Sequence, residues 1–131
     1  MAPPQSTLFF LDVGLDNMKN PYRSGRVMSL SLSPGASPQT LVENERLPDG
    51  IDVFDDRIYW TVMGTPRQND GCIRSCKLDG IDVETIVPNG AVHTPKQLVI
   101  EPGTRKLYFC DREGMRIWRC GIDGECLKPS F

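Results

Sequence analysis

What this chain of 131 residues lacks narrows its function more than what it carries. It has one histidine, His93, and no nucleophile and orienting carboxylate are spaced around it as acid–base catalysis requires. No catalytic residue and no cofactor are assigned. No stretch repeats apolar residues at i, i+3, i+4 and i+7 for two turns, so no amphipathic helix is expected. The 15 basic and 17 acidic residues leave a net charge of −2 with no basic stripe, which argues against a nucleic-acid partner. No apolar run approaches the ~20 residues of a bilayer-crossing helix. The opening MAPPQSTLFFLDVG has no basic region ahead of its short apolar core and reads as a strand, not a signal peptide. No membrane partner and a cytoplasmic setting are the expectation.

Paired cysteines are missing too. The five present are odd in number and show no metal-ligand spacing, so no metal is assigned. Cys72 and Cys76 fall on one face of an expected strand, ~13 Å apart, too far for a disulfide or a shared zinc ion. Cys76 and Cys120 occupy one place in successive repeats, where Leu30 stands in the first. They read as small buried apolar residues at contacts between repeats, in a reducing setting.

What is there is a phrase written three times: LFFLD from Leu8, IYWTV from Ile58 and LYFCD from Leu107, starting 50 and 49 residues apart. After loops of varying length come RVMSLSL from Arg26, CIRSCKLDG from Cys72 and RIWRCGIDG from Arg116. Short β-rich repeats at this period mark a propeller or a solenoid. The second copy shows four segments: one holding Gly50 to Val53, Ile58 to Val62 after an Asp55-Asp56 turn, Ile73 to Leu78, and Val83 to Val87 after Asp79-Gly80. The third repeats the plan as Gln97 to Ile100, Leu107 to Asp111, Ile117 to Ile122 and a stub from Cys126. The first lacks its opening strand.

Four antiparallel strands per unit, buried on both faces, is a propeller blade. Two-faced burial explains why Val27/Ile73/Ile117 and Leu32/Leu78/Ile122 are all apolar although they point opposite ways. The fold class is therefore all-β, a partial β-propeller of about three four-stranded antiparallel blades. Their approximate limits are 7–43, 47–88 and 94–131.

The phrases IYWT at Ile58 to Thr61, IRSCKLDG from Ile73, LPDGIDV from Leu47, HTPKQL from His93 and KLYFCDREGMR from Lys106 resemble the YWTD repeat. This is the low-density-lipoprotein-receptor class B repeat, and the likeness is to a soluble microbial branch of the family. The resemblance implies a six-bladed ring, of which this chain would supply half. The repeat's Asp stands at Asp12 and Asp111 but is Val62 in the middle copy; Tyr-Trp becomes Phe9-Phe10 and Tyr108-Phe109. In the family these positions hold blades together, so they imply framework, not an active site. Trp118 reads likewise as packing between blades.

Three blades do not close a ring. The chain is read as a truncated product, as one of two copies joined head to tail, or as a partner of a second chain; truncation is favoured. Loops from second to third strands and crossings between blades emerge on one propeller face. Here these are the long ones, Val13 to Gly25, Met63 to Gly71, Glu43 to Pro48 and Pro88 to Pro95. Phe54 to Arg57, Glu101 to Lys106 and the Asp-Gly hairpins keep the opposite face tight. Function gathers on long loops held by a rigid scaffold. The candidate binding face therefore carries Asn17, Lys19, Tyr22, Arg23, Arg67, Asn69, Asp70 and His93, all expected exposed.

The leading functional reading is a non-enzymatic binding or scaffold module for a protein or small ligand. A second is a metal-dependent hydrolase of the lactonase-like six-bladed type, with Asp52 aimed at the axis; its counterpart is Val99, and the warrant is analogy of fold. A third is a fragment with no independent role.

Overall fold

A computed structural model describes residues 6–130. Among these every regular element is a strand. The first sheet is β1 (Thr7–Asp12), β2 (Gly25–Ser31) and β3 (Gln39–Glu45). The second is β4 (Pro48–Phe54), β5 (Arg57–Val62), β6 (Cys72–Lys77) and β7 (Glu84–Val87). The third is β8 (Pro95–Glu101), β9 (Lys106–Asp111), β10 (Arg116–Gly121) and β11 (Lys128–Pro129). Each sheet is an antiparallel meander in chain order, three-stranded once and four-stranded twice. The sheets are the blades the repeat predicts, and among the described residues the first has no opening strand.

β5 shows why the phrase repeats. Successive side chains of a strand point to opposite faces. Ile58 and Trp60 enter a core with Val27 and Cys76, packed by Phe9 and Leu11 of the first sheet. Tyr59 enters a second core with Ile73, Leu107, Phe109 and Cys120, shared with the third sheet. Both faces are buried because a sheet lies on either side. Where none does, the same repeat position is wet. Ile73 is fully buried while its counterpart Ile117 is 38% exposed; Leu78 and Ile122 are half-buried while Leu32 is 60% exposed.

β4 and β8 lie against each other as the opening strands of their sheets. A Cβ on Gly50 would stand 2.4 Å from the Lys96 carbonyl oxygen, so only glycine allows this approach. Thr61 Oγ1 locks the contact, accepting the Gly50 amide (2.8 Å) and donating to the Lys96 carbonyl (2.6 Å). The tight turn expected at Asp55-Asp56 is present, with φ of 53° and 60°, the left-handed pair a two-residue hairpin needs.

Three local expectations are corrected. β3 runs to Glu45, so the crossing expected from Glu43 to Pro48 is only residues 46–47. The ladder continues because Glu45 still pairs with Gly25 across a bulge. The turns at Asp79-Gly80 and Asp123-Gly124 form, with Gly φ of 89° and 85°, but neither is a two-residue hairpin. Lys77 bonds to Ile81 (2.9 Å) and Gly121 to Glu125 (2.9 Å), closing a tight loop before an irregular stretch. β7 therefore starts at Glu84, after a left-handed Asp82 (φ 57°), not at Val83.

Candidate functional site

Three of the four loops expected on one face are tied to one another. Gly71 donates its amide to the His93 carbonyl (3.2 Å) and Gly90 to the Gly71 carbonyl (3.0 Å), tying loop 63–71 to crossing 88–94. Asn69 Nδ2 reaches the Gly90 carbonyl (3.2 Å), and Asn89 Nδ2 reaches the Asp70 carbonyl (3.0 Å). Met63 and Gly64 donate to the Leu47 and Arg46 carbonyls of the earlier crossing, both at 3.0 Å. The short turn 112–115 joins them, Arg112 donating to the Thr94 carbonyl (3.1 Å).

Of the sequence-predicted residues, Asn69, Asp70 and His93 serve this framework. Asp70 accepts the Thr65 amide (2.8 Å) and an Arg46 N–H (3.2 Å). His93 donates its amide to Asp111 (2.9 Å), and its ring Nδ1 meets Thr94 Oγ1 (2.9 Å). Asp70 and His93, expected exposed, are half-buried, because their polar groups point into these contacts.

Loop 13–24 is built by its own hydrogen bonds. Asn17, Asn20 and Arg23 each donate an amide to the carbonyl three residues back, and Asn17 Nδ2 reaches Ser24 Oγ (2.8 Å). The loop holds Lys19, Tyr22 and Arg23 in solvent beside exposed Leu15 and Met18. Beneath it lies a cavity of about 280 Å³ walled by Asp12, Asp16, Asn17, Arg26 and Glu43. Asp12 is ion-paired to Arg26, which with the Gly14 amide holds its pKa below the usual carboxylate value. Among the described residues no cluster of three or more His, Cys, Asp or Glu is arranged to hold a metal ion.

Arg67 points the way to a second cavity, of about 440 Å³, between the second and third sheets. Leu47, Met63 and Pro66 give it apolar walls, and Arg67, Lys96, Arg112 and Glu113 give it charge. Lys96 Nζ stands 3.6 Å from both Asp49 Oδ1 and Met63 Sδ, a loose pairing. Arg112 Nε donates to Glu113 (2.6 Å), and hydrogen bonds from Arg112 and Thr94 hold the Glu113 carboxyl down to about 2. Arg67 forms no ion pair among the described residues. The cavity thus keeps one uncompensated positive charge.

Sequence reasoning missed Lys96, Arg112 and Glu113. Their phrases, HTPKQL and KLYFCDREGMR, carried the family resemblance and were given no part in binding. The available signal was topological: 112–115 joins second to third strands and so shares the face of the long loops.

The carboxylate proposed for hydrolysis is otherwise occupied. Asp52 accepts the Val53 amide (2.8 Å) and, across the inter-sheet contact, the Ile100 amide (2.8 Å). The repeat's Asp in the third sheet serves as a local framework acceptor. Asp111 accepts amides from His93 (2.9 Å), Thr94 (2.7 Å) and Gly114 (3.0 Å) and the Trp118 indole N–H (3.2 Å). Burial pushes its pKa up, but these donors outweigh it and the net shift is downward.

Consecutive antiparallel sheets packed face to face, with long loops gathered on one side, define this chain as a partial β-propeller. Solved structures agree. The chain superposes on a chain of the nidogen/laminin complex with a TM-score of 0.72 at 18% identity, covering 98% of itself and 44% of that chain. A TolB structure from Agrobacterium tumefaciens gives 0.71 at 18% identity, with 95% and 45% coverage.

Two fungal proteins are similar in sequence. One, from Cochliobolus heterostrophus, is the 3-hydroxyacyl-CoA dehydrogenase-like protein LAM1, 43% identical over 123 residues, 92% of this chain and 26% of that protein. The other, from Pyricularia oryzae, is a low-density lipoprotein receptor-related protein 1, 42% identical over 127 residues, 92% of this chain and 40% of that protein. No family model matches the chain. The chain therefore spans between a quarter and a half of the proteins it resembles.

Proposed function

We propose that this chain is part of a non-enzymatic binding or scaffold propeller of the low-density-lipoprotein-receptor class B kind, soluble and six-bladed when complete. It recognises a protein or small ligand on the long-loop face. The observation that carries this reading is the cavity between the second and third sheets, where Arg67 stands without a counter-charge above apolar walls. The ligand group that suits it is a carboxylate or another anion carried on an apolar body. Lys19, Tyr22 and Arg23, on the self-braced loop 13–24, extend the same surface. The receptor-related name of the Pyricularia protein and the complexed state of the nidogen/laminin structure support a binding role.

The hydrolase reading is set aside because Asp52 already serves two amides. A dehydrogenase reading draws nothing from the region matched in LAM1. A dinucleotide site needs a βαβ unit, and the described residues hold strands and loops alone. Five unpaired thiols support a reducing, cytoplasmic setting. The complementing blades come from a longer chain, a second copy or a second protein.

Peptides selected by phage display on the immobilised chain test the binding reading. Enrichment of Asp and Glu, with affinity falling about tenfold in Arg67→Glu at unchanged circular dichroism, is the expected result. Binders indifferent to Arg67→Glu, or competing with ligands of the tight-loop face, would overturn it.

A further inference from the structure

We propose that Thr65 is a phosphorylation site, and that a phosphate there reverses the charge of the cavity between the second and third sheets. The proposal rests on the binding reading above and names the regulation of that same site.

Four hydroxyl residues of the chain are followed directly by proline: Ser33-Pro34, Ser37-Pro38, Thr65-Pro66 and Thr94-Pro95. Proline has no backbone N–H and a fixed φ, so a kinase that accepts it beside the acceptor needs a pocket built for its ring. The structure separates the four. Ser33 and Ser37 sit in the turn between β2 and β3, at the other end of the first sheet from loop 13–24. Thr94 lines the cavity but is 9% exposed, its amide on Asp111 (2.7 Å) and its Oγ1 against His93 Nδ1 (2.9 Å). Thr65 lines the same cavity from an accessible stretch, half-buried itself and followed by exposed Pro66 to Asn69.

The backbone at Thr65 is held on both sides. Its amide goes to Asp70 Oδ1 (2.8 Å), and its carbonyl accepts the Gln68 amide (3.1 Å) across a turn. Pro66 and Arg67 fill the middle of that turn, with Arg67 left-handed (φ 67°), the type II arrangement. The turn keeps Arg67, which forms no ion pair among the described residues, two residues from the acceptor hydroxyl.

The charge balance gives the consequence. Arg112 is paired with Glu113, Lys96 loosely with Asp49 (3.6 Å), and Asp70 with Arg46 (3.2 Å). One positive charge, that of Arg67, is left over. A phosphothreonine carries about −1.5 to −2 at pH 7, so the cavity turns negative and an anionic ligand is repelled. Arg67 and the loosely held Lys96 are the cations free to take the phosphate oxygens. In the transfer, Thr65 Oγ1 bonds the γ-phosphorus of a nucleoside triphosphate as the bond to the bridging oxygen breaks. Nucleoside diphosphate leaves, and the hydroxyl proton passes to the kinase's base.

The test incubates the full 131-residue chain with nucleoside triphosphate and a proline-directed serine/threonine kinase, then maps the label by mass spectrometry. Phosphate on Thr65 and none on Thr94 is the expected result for the native chain. Phosphorus NMR then titrates the group. Its second pKa is expected about one unit below the usual value of about 6, and back near that value in Arg67→Gln or in urea. Affinity for the acidic peptides selected on the unmodified chain is expected to fall about tenfold. A native chain unlabelled at Thr65 would overturn the proposal. So would an ordinary phosphate pKa, or a peptide affinity indifferent to the phosphate. Failure of the binding reading shows differently, as acidic peptides that never bind the unmodified chain. The label and the phosphorus titration then still decide whether Thr65 carries a phosphate against Arg67.

Discussion

At the end of β9, Asp111 is 3% exposed and gathers three backbone amides from the crossing and the following turn and an indole N–H from β10. At the end of β5 the same repeat position is Val62, equally buried and unable to accept anything. A carboxylate arrives there by another route. Asp70, eight residues on in loop 63–71, accepts the Thr65 amide, whose counterpart in the next repeat is the Gly114 amide held by Asp111. Its second oxygen takes an Arg46 guanidinium, where Asp111 takes backbone amides. The first repeat is a third case: Asp12 holds the Gly14 amide and Arg26 with no crossing packed over it among the described residues. The corner's demand for an acceptor belongs to the fold. Which residue meets it, and how deeply it is buried, is local.

The sharpest way to break this comparison is to truncate the carboxylates in turn and measure urea unfolding. Asp111→Ala leaves several buried donors unpaired and is expected to cost about 3–5 kcal/mol. Asp70→Ala, with one amide and a half-exposed arginine affected, is expected to cost about 1–2 kcal/mol. Asp12→Ala, a solvent-screened pair, is expected to cost under about 1 kcal/mol. Equal losses at all three would show that burial does not set the order.

Acid sensitivity sharpens it further. The folded-state pKa of Asp111 is depressed, so its stabilisation is present above its unfolded value near 4 and lost as pH falls through the folded value. Glu45, buried beside Arg74, has its pKa raised by burial against the pull of that guanidinium. Its sign is opposite: stability is lost as pH rises from the unfolded value through the folded one. Asp111→Asn should therefore flatten the acid-side decline in urea midpoint, and Glu45→Gln should flatten a decline on the higher-pH side. Parallel profiles for the two variants would contradict the assignment.

The smallest effect concerns the thiols, which contrast interior with surface. Burial pushes Cys72 and Cys76 up to about 11 and Cys120 to about 12, whereas Cys110 and Cys126 are exposed. A mild thiol reagent should label two cysteines in the native chain and all five after denaturation. Fast native labelling of Cys76 or Cys120 would mean that the contacts between sheets open readily.

Much of the architecture was legible because strand periodicity is a local property. Val27/Ile73/Ile117 and Leu32/Leu78/Ile122 are apolar on opposite faces, so burial on both sides could be read from the repeat alone. The candidate face was legible in part, through loop length and strand order. Lys96, Arg112 and Glu113 escaped because they come from short phrases, brought beside Arg67 only when the third sheet packs on the second. Asp70 was placed among the exposed binding residues because nothing in Asn69-Asp70-Gly71 reveals that Val62 has vacated a carboxylate seat.

The sequence by itself determined the repeat, the strand phrases, the two-faced apolar pattern and the places of the Asp-rich and Asp-Gly turns, since these depend on residues close along the chain. Tertiary structure alone decided which copies of that pattern stay dry. Val27 and Ile73 are sealed by a neighbouring sheet, and Ile117 is not, although all three are written alike. Burial is a relation between a residue and whatever packs against it, and for the outermost sheets that second surface lies beyond the residues that form them.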